Sequence, residues 1–569
     1  MKGKVFRILA WAMIAVFAAG IAGASSPAYA LDKRDVIARN GVVAAAHPLA
    51  AQAGVEVLKR GGNAFDAAIA TAFMLNVVEP NASGMGGGGF AIVYVAKEKK
   101  TYMVDYREMA PAKATPDMYE LDDQGKVKNN ATVTGYYASA VPGMLRGMEL
   151  IHQKFATRKW AELMAPAIAQ AEAGLPVTKS LNGIIGDQIE RLEKYSPSLA
   201  WFKQHYFKDG LPLDAGDVLK NPELTESLKL VAAGGADVFY KGAIADKIAA
   251  FYAKNADGWI TKADLANYQA KLREPVTTTY RGYTLVTTPP PSSGGLTLAN
   301  ILNIMEKFDV AKMGRQSTQF HHTFIEAQKL AYADRARYMA DTDFVKVPMA
   351  GLASKDYAAE RAKGISPDAA NNAVKPGDPG KYSAGSTTSF SVIDQDGNMI
   401  TVTQTINDFL GACVVPDGTG ILMNDEMDDF VTNNPDSVNA PAPGKRPLSS
   451  ITPTIVLQDG KPFMTLGTPG GPRIITTVAQ IIINVVDFKM DLQTAISDPR
   501  IHTANMPTAQ IEQPIDEATV NELLGWGHKL NLRPERNAYF GGAQGIMILP
   551  DGRLHGAADN RRLGQAFGY

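Results

Sequence analysis

The stretch KYSAGSTTSFSVIDQDGN, Lys381 to Asn398, changes character at Thr387. Upstream, NNAVKPGDPG is polar and rich in proline and glycine. Downstream, Phe390 and Val392 alternate with Ser389 and Ser391. A period of two reads as a half-buried strand, so a loop turns abruptly into a strand at two adjacent threonines. Threonine is common in strands, and on its own the pair says no more than that. Its surroundings say more. DQDGN, Asp394 to Asn398, is a hairpin signal, and a two-residue loop at Asp396-Gly397 sets Thr387 opposite Ile406 in the returning strand MITVTQTIN. Thr405 and Asn407 then flank Thr387 across the hairpin.

Further chemistry follows along the chain. The acidic cluster NDEMDDF runs from Asn424 to Phe430, and KRPLSS ends in the hydroxyl pair Ser449-Ser450. GTPGGPR, Gly467 to Arg473, lies between the strand PFMTLG and the helical run IITTVAQIIINVV. Successive N–H groups at such a strand-to-helix turn form an anion nest, and without a Walker lysine an oxyanion is at least as suitable an occupant as a phosphate. A hydroxyl nucleophile, carboxylates, paired serines and an oxyanion nest together suit acyl transfer. A base is missing, because there is no G-x-S-x-G and the histidines lie far from these motifs. A threonine supplies its own base when it begins a chain, its α-amine having a pKa of about 7.7–8.0. That requires cleavage between Ser386 and Thr387, and it explains why a loop should stop there.

The remaining chain sets bounds. It has 569 residues, 46% hydrophobic and 20% charged, an ordinary globular composition. Lys2, Lys4 and Arg7 precede the apolar run ILAWAMIAVFAAGIAGA, and AYA closes at Ala30, which reads as an export signal cleaved after Ala30. The rival reading is an uncleaved membrane anchor. With those three cations removed, 54 basic residues face 58 acidic ones, a net of −4, and no basic stripe suggests nucleic acid. Cys413 stands alone, so no intramolecular disulfide can form. Eight histidines without H-E-x-x-H give no metal signature, and no cofactor is expected; His321-His322 reads as a surface or capping pair. GMGGGG, Gly84 to Gly89, satisfies G-x-G-x-x-G literally, but a helical stretch precedes it and a strand follows. A dinucleotide site needs the opposite order.

These motifs meet a known family. The chain resembles bacterial γ-glutamyltransferases of the N-terminal-nucleophile superfamily from about Gly41 to Tyr569. GGNAFDAAIA, GMGGGGF, DYREMAPAKA, YRGY, PPPSSGG, AYADRARYMAD, STTSFSVID, MDDF, KRPLSS and GTPGG occur in the family's order. The resemblance implies one four-layer αββα sandwich of α/β (α+β) class. It implies self-cleavage into a large subunit, 31–386, and a small one, 387–569, which stay together as a heterodimer. It implies a small-molecule substrate such as glutathione or another γ-glutamyl amide, with water, amino acids or peptides as acceptors. After signal removal the product would be periplasmic or secreted. Thr387 matches the nucleophile and Thr405 the threonine that orients it. Arg107, with Ser449 and Ser450, matches the grip on the α-carboxylate. Asn407, Glu426 and Asp429 match the groups on the α-ammonium, and Gly470 and Gly471 match the oxyanion nest. A guanidinium for a carboxylate and carboxylates for an ammonium suit a zwitterionic γ-glutamyl group, and remote anchoring orients the scissile carbonyl.

Departures are visible. Ser389 stands where many relatives have histidine, and NDFLGACVV replaces a commoner glycine-threonine stretch. The loop VTNNPDSVNAPAPG is short where many relatives carry a lid, which suggests an open cleft tolerant of larger donors and of water. Two rivals follow: a cephalosporin or glutaryl-amide acylase of the same superfamily, and an uncleaved binding protein of the cell envelope. The set around the α-ammonium argues against the first, and the nucleophile with its nest against the second.

Overall fold

The computed structural model describes residues 33–374, 386–504 and 507–569. The export signal, and the stretch 375–385 that leads to Thr387, lie outside the described residues. Two seven-stranded sheets carry the fold. The first runs Gln565–Gly568, Val42–Ala45, Ser386–Ile393, Met399–Asn407, Gly88–Val95, Lys100–Tyr106 and Lys271–Arg273. The second runs Val36–Ala38, Leu554–Ala558, Gln544–Ile548, Lys461–Gly467, Thr454–Gln458, Tyr283–Thr287 and Val276–Tyr280. The sheets face each other, with strands Ser386–Ile393 and Met399–Asn407 lying against Lys461–Gly467. Helices Pro48–Lys59 and Ala64–Val78 cover the first sheet; Gly294–Met305, Arg473–Val486 and Leu492–Ser497 cover the second. The result is the expected αββα sandwich. Both sheets contain strands from before and from after residue 386, and Asp35–Tyr569 is one compact unit.

Local signals explain the elements that frame the hairpin. Helix Ala64–Val78 begins at a capping box, Asn63 accepting from Asp66 N–H while Asp66 accepts from Asn63 N–H, and every one of its residues is buried. The hairpin differs from its expected register by one residue. Its last pair is Ile393 with Met399, and Asp394 accepts from the N–H groups of Asp396 and Asn398, both at 3.0 Å. Asp394 also takes Ala64 N–H at 2.8 Å, from the start of that helix. Gly397, at φ +80°, completes a longer turn than two residues. Thr387 therefore lies opposite Thr405, not Ile406. Ser386 pairs with Asn407, leaving Ile406 as a bulge beside the 386–387 bond.

The strand is buried on both faces rather than on one. Phe390, Val392, Ile400 and Val402 pack toward the outer helices, each at no more than 1% exposure, and each such side chain contributes roughly 1.5–3 kcal/mol. The serines and threonines that read as the wet face meet the second sheet instead. Ser389 bonds to Val402 O at 3.0 Å and Thr403 Oγ at 3.2 Å, and Ser391 to Thr401 Oγ at 3.1 Å. Small hydroxyls that satisfy one another let the sheets approach closely. A Cβ on Gly467 would lie 2.4 Å from Ser389 Oγ.

Candidate active site

Thr387 is 4% exposed, with Oγ 3.4 Å from Thr405 Oγ. Thr405 Oγ accepts Asn407 N–H at 2.8 Å, so the turn after the strand fixes the hydroxyl that faces Thr387. Asn407 holds φ +72°, a left-handed conformation that asparagine tolerates. Two groups outside the expected set hold the strand that bears Thr387. Arg562 Nη1 donates to Thr387 O at 2.9 Å, and the Thr388 hydroxyl donates to the carboxylate of Glu79, at the end of helix Ala64–Val78. Burial pushes Glu79 above the ordinary carboxylate range, with Arg562 and Thr388 opposing.

The GMGGGG run backs this strand and has no nucleotide geometry. A Cβ on Gly87 would meet Thr405 O at 1.9 Å, and one on Gly86 would meet Leu422 O at 2.0 Å. Glycine is needed for close backbone approach to the strand that bears Thr405.

Arg107 ends the strand Lys100–Tyr106 and is 1% exposed. It donates to Glu426 at 2.5 Å and to Asp429, lies 3.5 Å from Glu108, and bonds the carbonyls of Pro447 and Leu448 at 3.3 and 3.2 Å. It thus joins the acidic cluster to the segment bearing Ser449 and Ser450. Burial opposes its charge, but Glu426, Asp429 and Glu108 outweigh burial and hold the guanidinium above its ordinary value. Burial also pushes Glu108 up to about 7 against the pull of Arg107, and Glu426 well above the usual range. Without substrate, the cation and anions that match a zwitterion neutralise one another.

Gly470 and Gly471 take φ +135° and +56° between strand Lys461–Gly467 and helix Arg473–Val486. Their carbonyls accept the first helical N–H groups, from Arg473 and Ile474, and among the described residues neither glycine N–H joins a backbone hydrogen bond. The two amides stand at a helix start, the setting in which backbone N–H groups can meet an anion.

One cleft collects every sequence-predicted residue except Gly470 and Ser386. Gly470 stands directly behind Gly471, and Ser386 belongs to the strand that bears Thr387. Arg335 also lines the cleft, and sequence reading missed it. It sits inside AYADRARYMAD, a motif quoted above as a marker without a role. Glu79 and Arg562 were likewise missed, since only the fold brings them to the strand that bears Thr387, and Glu108 was missed although it directly follows Arg107 in DYREMAPAKA. No residue of the short loop 431–444 lines the cleft.

Two expectations need correction or detail. Cys413 is buried beside Arg191, whose Nε and Nη2 lie 3.2 and 2.9 Å from its sulfur, and burial pushes the thiol up to about 11. It does not line the cleft. His321 and His322 are buried, not at the surface. His322, Glu326 and His528 form a group of ligand-type atoms within 4.8 Å of one another. These atoms already bond each other and Lys329: His322 Nδ1 to His528 Nε2 at 2.7 Å, and Glu326 to Lys329 at 2.8 Å. His322 Nε2 also donates to Ser366 O, and Lys329 to Asn371 O. The cluster therefore holds the segment that precedes residue 375.

The sequence profile of the gamma-glutamyltranspeptidase family matches residues 50–569. A glutathione hydrolase proenzyme of Pseudomonas sp. (strain A14) is 41% identical, over 98% of this chain and 99% of its own length. The Acylase ACY 1 proenzyme of Pseudomonas sp. (strain SE83) is 40% identical over 93% and 94%. A crystal structure of cephalosporin acylase from Bacillus halodurans superposes with TM-score 0.86 at 31% identity, covering 96% of this chain and 99% of that one.

Proposed function

The chain belongs to the gamma-glutamyltranspeptidase family and acts in γ-glutamyl hydrolysis and transfer; from that premise we propose how its own residues do so. The precursor cleaves itself when Thr387 Oγ attacks the Ser386 carbonyl, forming an ester that water opens. The freed α-amine of Thr387 then serves as base. It takes the hydroxyl proton as Oγ attacks the γ-carbonyl of a donor, and the oxyanion is met by the amides of Gly470 and Gly471. The proton passes to the leaving amine, giving a γ-glutamyl ester on Thr387. Water, or the amine of an amino acid or peptide, resolves that ester. Thr405 orients Thr387. The donor's zwitterion inserts into the Arg107–Glu426–Asp429 group, its carboxylate reaching Arg107 and the two serines, its ammonium reaching Asn407, Glu426 and Asp429.

The observation that carries this reading is that Thr387, at the loop-to-strand junction, opens into the same cleft as that self-neutralised charge group. The large and small products stay together as a heterodimer, and the leader directs the enzyme to the periplasm or outside the cell. Among the described residues no helix is long and apolar enough to cross a membrane. Thr387→Ala is expected to remain a single band on a denaturing gel, whereas the wild-type small band begins Thr-Thr-Ser-Phe by Edman degradation. Full cleavage of Thr387→Ala, or a different first residue, would refute the assignment. The likeness to acylases supports a second activity on glutaryl amides, with the donor's far carboxylate at Arg107.

A further inference from the structure

Arg335 comes from the last turn of helix Thr318–Tyr338 and is 3% exposed. Its Nε donates to Ser293 Oγ at 2.6 Å and its Nη2 to Ser450 Oγ at 2.9 Å. A serine hydroxyl carries one hydrogen and accepts through its lone pairs. Ser293 gives its hydrogen to Ser449 O at 2.6 Å, locking PPPSSGG against KRPLSS. Ser450 accepts from the guanidinium and lines the cleft, and its hydroxyl donates to none of the described residues, so its hydrogen is available to an acceptor in the cleft. Ser449 also lines the cleft; its Oγ accepts Ile451 N–H at 3.2 Å and donates to none of the described residues. Two O–H donors backed by a buried cation make an anion site. Arg107, by contrast, already faces Glu426 and Asp429.

We propose that Arg335 is the positioning residue of the donor-carboxylate subsite: it polarises Ser450 and fixes its hydroxyl as a donor, and so selects donors that bear a carboxylate at the end remote from the scissile amide. This rests on the reading of the cleft as a γ-glutamyl site. Lysine cannot replace the fork, because one ammonium does not present two fixed N–H groups to Ser293 and Ser450.

Three p-nitroanilides separate the contributions: γ-glutamyl, with carboxylate and ammonium; glutaryl, with the carboxylate alone; and 4-aminobutyryl, with the ammonium alone. They are compared on protein already cleaved at Thr387. Arg335→Lys is expected to lower kcat/KM for the two carboxylate donors by roughly 10- to 100-fold, chiefly through KM. That loss should exceed the loss with 4-aminobutyryl at least fivefold. Ser450→Ala should give the same ordering, and the double variant should lose little more than Ser450→Ala. If Arg335→Lys does not mature, Ser293→Ala, which removes one tether from the same guanidinium, should give the same ordering at smaller size. If Ser450→Ala discriminates among donors while Arg335→Lys or Ser293→Ala slows all three equally, Arg335 is structural; the proposal is then overturned and the cleft reading stands. If Ser450→Ala itself treats the three donors alike, the cleft reading fails and the proposal with it.

Discussion

Asp429 shows how one side chain serves two states of the site. Without substrate it shares the Arg107 guanidinium with Glu426, and its side chain is 27% exposed, so it is the member of the group most open to an arriving ammonium. Removing one partner of a desolvated charge pair costs about 2–5 kcal/mol, largely through the stranded charge. Asp429→Asn is therefore expected to lose on the order of 30-fold or more in kcat/KM toward γ-glutamyl amides on matured protein. Toward glutaryl amides the change should be neutral or favourable, because a carboxylate with nothing to bind is removed and Arg107 is left freer for the donor. Steady-state kinetics with both donors test this. Unchanged γ-glutamyl turnover would show that the carboxylate does not meet the donor's ammonium. The residue types and motif settings of Arg107, Glu426 and Asp429 were legible in sequence. Their mutual ion pairing was not, since it depends on a strand end, a short helical turn and a loop arriving at one point.

At the scale of elements, the glycine run before strand Gly88–Val95 and the hairpin after Thr387 work as a pair. Gly87 and Gly86 let one chain segment press against backbone carbonyls of Thr405 and Leu422, while Gly84 has nothing within 4 Å of where a Cβ would stand. Gly87→Ala should displace Thr405 from Thr387 and slow maturation by on the order of tenfold or more, an added methyl in a filled site costing about 1–3 kcal/mol. Gly84→Ala should mature as the wild type does. Pulse–chase of precursor and product bands compares the two, and equal behaviour would refute the close-packing account. The hairpin was read from DQDGN, yet its register was set one residue away by Asp394. That carboxylate binds its own turn and the N-terminus of a distant helix together. Likewise, the alternation at Phe390 to Val392 signalled a strand, but what covers its serine face was beyond local pattern.

For the whole molecule, the position of residue 387 in the sheet decides what cleavage can release. Strand Ser386–Ile393 is interior, paired to Val42–Ala45 on one side and Met399–Asn407 on the other, while Gln565–Gly568 pairs beyond it. Separating the two products would expose the helix-covered face of the paired strands Ser386–Ile393 and Met399–Asn407, and their edges toward Val42–Ala45 and Gly88–Val95. The matured products should therefore co-elute in native size exclusion and unfold in one thermal transition, coming apart only in denaturant. Two independently stable pieces after cleavage would contradict that. The sequence by itself determined the kind of substrate and the sandwich class and singled out Thr387 as the proposed nucleophile, because these rest on residue types at fixed spacing and on a motif order specific to one family. Only the tertiary structure decided that Thr387 faces Thr405 directly, that Arg335 lines the cleft, that Glu79 and Arg562 hold the strand bearing Thr387, and that the serine face of that strand is dry. Those facts depend on groups far apart in the chain meeting across packed layers, and a local periodicity carries no record of what lies opposite it.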